Sequence, residues 1–185
     1  MIELSAPRHR CLSMDMQQEV EQLKRASRSA LISGSAASAV SAAALAIGGA
    51  IEEDSAAGPL NGPSQWVWGE EEARTREPTL KHTALGYAIH HGTSLMWATA
   101  YERLFADGRE RRSFGRILAE AAAATTAAYF VDYYLTPKRF RPGFKKHLSG
   151  RSVFAVYAGF AAGLALTSLI DRRRKITARA ELELP

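Results

Sequence analysis

SVFAVYAGFAAGLALTSLI, residues 152–170, contains no charge and is fenced by Asp171 and the basic run Arg172–Lys175. At ~1.5 Å rise per residue it reaches ~28 Å, close to the ~30 Å hydrocarbon core of a bilayer. Three other stretches have a similar length and are also bounded by charge. SALISGSAASAVSAAALAIGGAI (29–51) is uncharged throughout. LGYAIHHGTSLMWATAYERLF (85–105) and ILAEAAAATTAAYFVDYYL (117–135) carry a few ionisable groups, and Pro137 closes the second of them. The segment Asp15–Arg28 combines helix formers with mixed charge. The expected fold is therefore all-α: a four-helix transmembrane bundle with an N-terminal cytoplasmic amphipathic helix.

Bulk composition alone does not point this way. The chain has 185 residues, 46% hydrophobic and 23% charged, with a mean hydropathy of −0.17, values that fit a soluble domain. The distribution decides, because charge is crowded between the apolar stretches. The net charge of +5 is what basic residues flanking membrane spans produce. No zinc-ligand, RNP-like or basic-zipper pattern accompanies it, so no nucleic acid is expected as a partner. Cys11 is the single cysteine; it excludes an intrachain disulfide and reads as a free thiol.

The segments divide as follows: a cytoplasmic stretch 1–28, the first span 29–51, an acidic external loop 52–84, the second span 85–105, a cytoplasmic loop 106–116, the third span 117–135, a basic external loop 136–151, the fourth span 152–170 and a cytoplasmic tail 171–185. The first span is rich in alanine, serine and glycine, which enter lipid less readily than leucine. Gly34, Ser38 and Ala42 recur every four positions and permit close approach of a neighbour. A signal peptide cleaved after Gly48-Gly49-Ala50 is the rival reading, but a polar lead of 28 residues is too long for its n-region. With both termini in the cytoplasm, fourteen Lys and Arg lie inside against nine outside, which the positive-inside rule favours. The basic loop 136–151 runs against that rule. Trp66 and Trp68 in the acidic loop are candidate interfacial anchors. The location expected is a bacterial cytoplasmic (inner) membrane, multi-pass.

YAIHHGTSLMWATAYERLF and VDYYLTPKRFRPGFKKHLSGRSVFAVYAGFAAGLAL resemble a group of uncharacterised small multi-pass bacterial inner-membrane proteins, mainly over residues 85–170. The resemblance implies membrane location and a helical bundle. It implies no activity and no functional residue.

Ionisable groups within a span cost ~2.5–3.5 kcal/mol each near its centre, so each needs a partner or a purpose. The candidates are His90, His91, Glu102, Glu120 and Asp132. If the second and third spans pack as an antiparallel hairpin, positions at equal depth share a constant sum of residue numbers. Glu102 with Glu120, and His90 with Asp132, share the same sum. This predicts a carboxylate layer near the cytoplasmic end and a histidine–aspartate layer near the outer end. Two carboxylates close together would raise the pKa of one of them unless Arg103 or Arg116 neutralised them. Tyr87, His90, Ser94, Trp97 and Tyr101 share one helical face that should turn inward, with His91 and Glu102 along the neighbouring one.

These groups read as interhelical glue or as the stations of a proton or ion pathway. A haem or metal would use His90 and His91, but adjacent histidines project ~100° apart on a helix. No HExxH or ExxH spacing occurs in the spans, so no metal or cofactor is expected. No catalytic residues can be specified, and no enzyme activity is expected. The loop PKRFRPGFKK offers Lys138, Arg139, Arg141, Lys145 and Lys146 to anionic lipid headgroups, to a partner protein or to the chain's own acidic loop. Gly159 and Gly163 form a GxxxG face suited to a membrane-protein partner or to self-association. The expected function is a small structural, assembly or regulatory subunit. The alternative is a small proton- or ion-coupled permeation protein.

Overall fold

The computed structural model describes the backbone of residues 6–182 and the side chains of residues 16–182. Cys11's side chain, and residues 183–185 of the expected tail, lie outside the described residues. Every regular element among the described residues is helical. Four long helices dominate: α1 (Ala6–Glu53), α2 (Leu85–Phe105), α3 (Phe114–Phe130) and α4 (Gly150–Leu182). A π-helical turn, Val131–Leu135, extends α3.

Two boundaries differ from those expected. The amphipathic segment and the first apolar stretch are one unbroken helix, since nothing between Asp15 and Ile51 breaks helical geometry. The last helix likewise runs past residue 170 to Leu182. Arg and Lys are good helix formers, so the run Arg172–Lys175 ends the apolar stretch without ending the helix. Met16–Glu53 and Gly150–Leu182 are long and apolar enough to cross a membrane.

Small residues decide the packing. Ala30, Ser33, Ala37, Ser38, Ser41 and Leu45 of α1 are all buried. They face α4 and α2, with which α1 makes the most extensive contacts in the molecule, and α3 leans on α4. The tightest glycine contact between two of the long helices lies at Gly163, where a Cβ atom would stand 2.4 Å from the Ala37 Cα. Gly159 also faces α1, at Val40 and Ser41. The glycine face on α4 is therefore occupied within the chain.

The hairpin expected between the second and third spans is a loose one. α2 and α3 touch only slightly, because α1 fills the place beside α2. Outward positions carry large apolar side chains, among them Ile32, Ile47, Met96, Phe130, Phe154 and Leu166. Inside, small and polar residues of α1 sit beside larger apolar ones such as Leu45, Ile117, Phe160 and Leu164.

The loops 54–84 and 136–149 meet at one end of the helices. The connection 106–113, the beginning of α1 and the end of α4 meet at the other, through Arg103–Glu19 and Arg109–Asp171.

Candidate functional site

Three polar assemblies lie along the bundle. At the end carrying the termini, the short connection after α2 turns back on itself and drives Arg109 inward. Its side chain is 3% exposed, and its Nη2 donates to Glu102 Oε2 at 3.0 Å, with Glu102 itself buried. Nη1 reaches Asp171 Oδ2 of α4 at 3.4 Å. The guanidinium also lies over the Tyr101 ring at 5.6 Å, and Tyr101 in turn bonds Ser168 of α4 at 2.9 Å through its hydroxyl. Glu120 of α3 takes Arg112 Nη1 at 2.9 Å and Arg116 Nε at 3.0 Å.

Glu102 and Glu120 thus sit at one end of the bundle but do not meet each other. Each is neutralised by an arginine of the connecting loop or its flank. Arg116 is one of the two counterions expected, whereas Arg103 instead bonds Glu19 at 2.6 Å. The counterions not foreseen are Arg109 and Arg112. Their signal lies in GRERRS, seven and eight residues from a glutamate on either side.

A dry cluster comes next, built from Ala30, Ala37, Ala98, Ile117, Ala121, Phe160, Leu164 and Ala165 together with the Tyr101 ring. Beyond it, toward the loop end, lies a crevice of about 50 Å³, room for a few water molecules. α2 contributes His90, Ser94 and Trp97 to its walls, α3 contributes Asp132, α1 contributes Ser41 and α4 contributes Tyr157.

His90 and Asp132 therefore line one crevice, as their equal depth suggested, yet they are not bonded to each other. His90 Nε2 lies 3.0 Å from Ser41 Oγ. The Tyr157 hydroxyl donates to Asp132 Oδ2 at 2.6 Å. The Trp97 indole N–H faces the same carboxylate and stops short of a well-formed hydrogen bond. The slack between α2 and α3 is what keeps histidine and aspartate apart. Asp132 sits in the π-helical turn that widens the end of α3, a departure from regular geometry that often accompanies a site. His91 turns to the neighbouring face and stacks on Tyr87 at 5.9 Å. Among the described residues, no group of three or more His, Cys, Asp or Glu is placed to hold a metal ion.

The two loops form a roof over the crevice. Pro63, Trp66, Phe140, Pro142 and Phe144 all line its upper side, with Trp66 and Phe140 in edge-to-face contact at 5.6 Å. Gln65, 1% exposed, donates to the Arg141 carbonyl at 2.6 Å and to the Lys138 carbonyl at 3.3 Å. Asn61 is fully buried. It donates to the carbonyls of Thr75 and Glu77 and accepts from Thr83.

Gly143 adopts φ +80° and lies so close to Gly62 that a Cβ would stand 2.6 Å from the Gly62 carbonyl oxygen. Only glycine fits that junction. His147 joins Glu53 Oε1 at 2.9 Å and the Ala73 carbonyl at 2.9 Å, so both ring nitrogens face acceptors. Glu52 accepts from Ser149 and Ser152. Glu72 accepts from Lys81 at 2.5 Å and faces His82, contacts that hold its carboxyl below the ordinary 4.5.

Of the five loop cations, three are engaged inside the roof. Arg139 bonds the Trp66 carbonyl, Arg141 the Thr136 carbonyl, and Lys146 the Glu70 carbonyl at 3.0 Å. Burial pushes the Lys146 ammonium down from its ordinary value, against the pull of Glu70. Lys145 stands apart, its Nζ 4.0 Å from the Tyr133 ring centroid and 3.3 Å from the Tyr129 hydroxyl. Lys138 lends only backbone to these contacts. The chain matches no family model, no curated protein and no solved structure.

Proposed function

We propose that the chain is a multi-pass protein of a bacterial inner membrane that acts as a small structural or assembly subunit, without catalysis of its own. In this reading all four long helices cross the bilayer and both termini lie in the cytoplasm. The observation that carries it is the internal accounting of charge. Glu102, Glu120, His90 and Asp132 each find a partner within the chain. In lipid, that is what interhelical glue must do.

The topology has its own support. The acidic and basic loops interlock at one end, and three cations of the basic loop are spent on roof contacts. The positive-inside count over all loops favours this orientation, while the basic loop 136–151 itself runs against the rule.

The second reading, a small proton- or ion-coupled permeation protein, is favoured by the polar crevice at His90 and Asp132. Against it stands the cluster around Ala98, Ile117 and Leu164, which separates the crevice from the Glu102–Arg109 layer. A relay requires a hydrogen-bonded path, and that cluster offers none.

Reconstitution into liposomes with an entrapped pH dye separates the two readings. A subunit leaves an imposed proton or sodium gradient intact, and replacing both His90 and Asp132 by apolar residues leaves its incorporation into a larger membrane complex on native gels unchanged. Gradient collapse by the wild type that the double substitution abolishes would establish the permeation reading and remove the first.

A further inference from the structure

A second hollow, which shares Tyr157 with the crevice, has no part in the account so far. It is a groove of about 730 Å³ between α3 and α4, walled by Leu118, Ala122, Tyr129, Phe154, Ala158 and Ala161. No charged residue lines it. Along α4 it extends from Gly150 to Ala162, which at ~1.5 Å per residue is ~18 Å. One leaflet of a bilayer's hydrocarbon core is ~15 Å deep, half of ~30 Å. The groove therefore fits the depth of a single acyl chain, whereas a crossing helix would need a seat about twice as long.

Its outer end is cationic. Lys145 holds its ammonium 3.3 Å from the hydroxyl of Tyr129, a wall residue. Arg151 follows the wall residue Gly150 and is exposed. A hydrophobic slot one leaflet deep with two cations at its loop end complements an amphiphile with an acyl tail and an anionic head.

We infer that this groove holds an acyl chain of an anionic phospholipid from the leaflet on the loop side, with its phosphate at Lys145 and Arg151. The inference rests on the membrane reading above. It narrows the expected headgroup contact from the whole basic loop to Lys145, and adds Arg151. The buried Thr125 hydroxyl on the groove wall has no hydrogen-bond partner. It is the one feature that a second protein helix would answer better than a lipid, and the test includes that outcome.

The full chain, purified in detergent, is titrated with phosphatidylglycerol or phosphatidylcholine, and bound lipid is counted by native mass spectrometry. The expected result is one retained phosphatidylglycerol per chain. Its preference over phosphatidylcholine should be about thirtyfold, the ratio that two cations near a membrane surface produce (about 2 kcal/mol). The pair Lys145→Gln and Arg151→Gln should reduce that preference to within about threefold. Ala161→Phe should exclude both lipids by filling the slot, with the melting temperature in plain detergent confirming that this variant is folded.

Equal retention of the two lipids by the wild type overturns the inference, as does an undiminished preference in the double variant. Efficient disulfide cross-linking between chains bearing Ala158→Cys and Cys11→Ala would assign the groove to a second copy and also overturn it. If the chain stays monodisperse in buffer without detergent, the membrane reading itself has failed. Equal lipid retention by a chain that needs detergent removes the lipid site alone.

Discussion

Replacing Arg109 by methionine tests the charge accounting directly. The side chains of Arg109 and Glu102 are 3% and 2% exposed, so the substitution leaves a carboxylate in the bundle with its buried counterion gone. Removing one member of a buried pair costs about 3–5 kcal/mol, mostly as the penalty on the charge left behind. Asp171 is 40% exposed and can turn to water, so it adds little. For a chain of this size each kcal/mol shifts the midpoint by about 2–4 °C. The expected loss is therefore roughly 6–20 °C in thermal unfolding of the detergent-solubilised protein. Glu102→Gln in the same chain should recover most of it, because the stranded charge is then gone. Tryptophan fluorescence and near-UV circular dichroism both read the transition. A single-variant loss under about 1 kcal/mol, or a double variant as unstable as the single, would refute the claim that this pair is buried and coupled.

Gly163→Val should separate α1 from α4, since its Cβ would stand 2.4 Å from the Ala37 Cα; a loss of about 1–3 kcal/mol or more is expected. Gly159→Ala is the control, because its Cβ would rest in ordinary contact 3.5 Å from Val40, and it should melt with the wild type. Gln65→Leu leaves the Arg141 carbonyl only the 3.4 Å contact of the Trp66 indole N–H, at a cost of about 0.5–1.5 kcal/mol, and trypsin should then cut the 138–146 loop faster while the helices stay intact. Glu72 has its folded value lowered by Lys81 and His82. Its contribution is fully present above pH 4.5 and disappears as pH falls through that lowered value. Glu72→Gln should therefore lower the neutral plateau of a stability-versus-pH curve slightly, leave the acidic end unchanged and so flatten the acid limb.

The helical class and the four long elements are legible from the spacing of charge alone. Helix ends are less so, because charge marks where an apolar stretch stops and not where hydrogen bonding stops; Arg172–Lys175 shows the difference. The depth arithmetic brought His90 and Asp132 to one crevice but assigned the wrong bonds. It assumed a tight hairpin between neighbouring spans, whereas the small residues of α1 let the first helix take the place beside α2. Ser41 and Tyr157 are the real partners, and a single serine or tyrosine in an apolar run carries no mark of its role. The roof was the least legible part. Gln65 and His147 look like ordinary loop residues until two segments some eighty positions apart are laid together.

That separation has a consequence for how the chain comes to be made. Of the four long helices α1 is made first and is poor in leucine, and one of its two supporting surfaces, around Gly159 and Gly163, comes only with α4. In the membrane reading, until α4 arrives the serines of α1 that it covers face lipid. A nascent chain halted before residue 150 would thus display polar groups along its first span, a signature that membrane quality-control proteases are suited to detect. Completion of the last helix closes that defect.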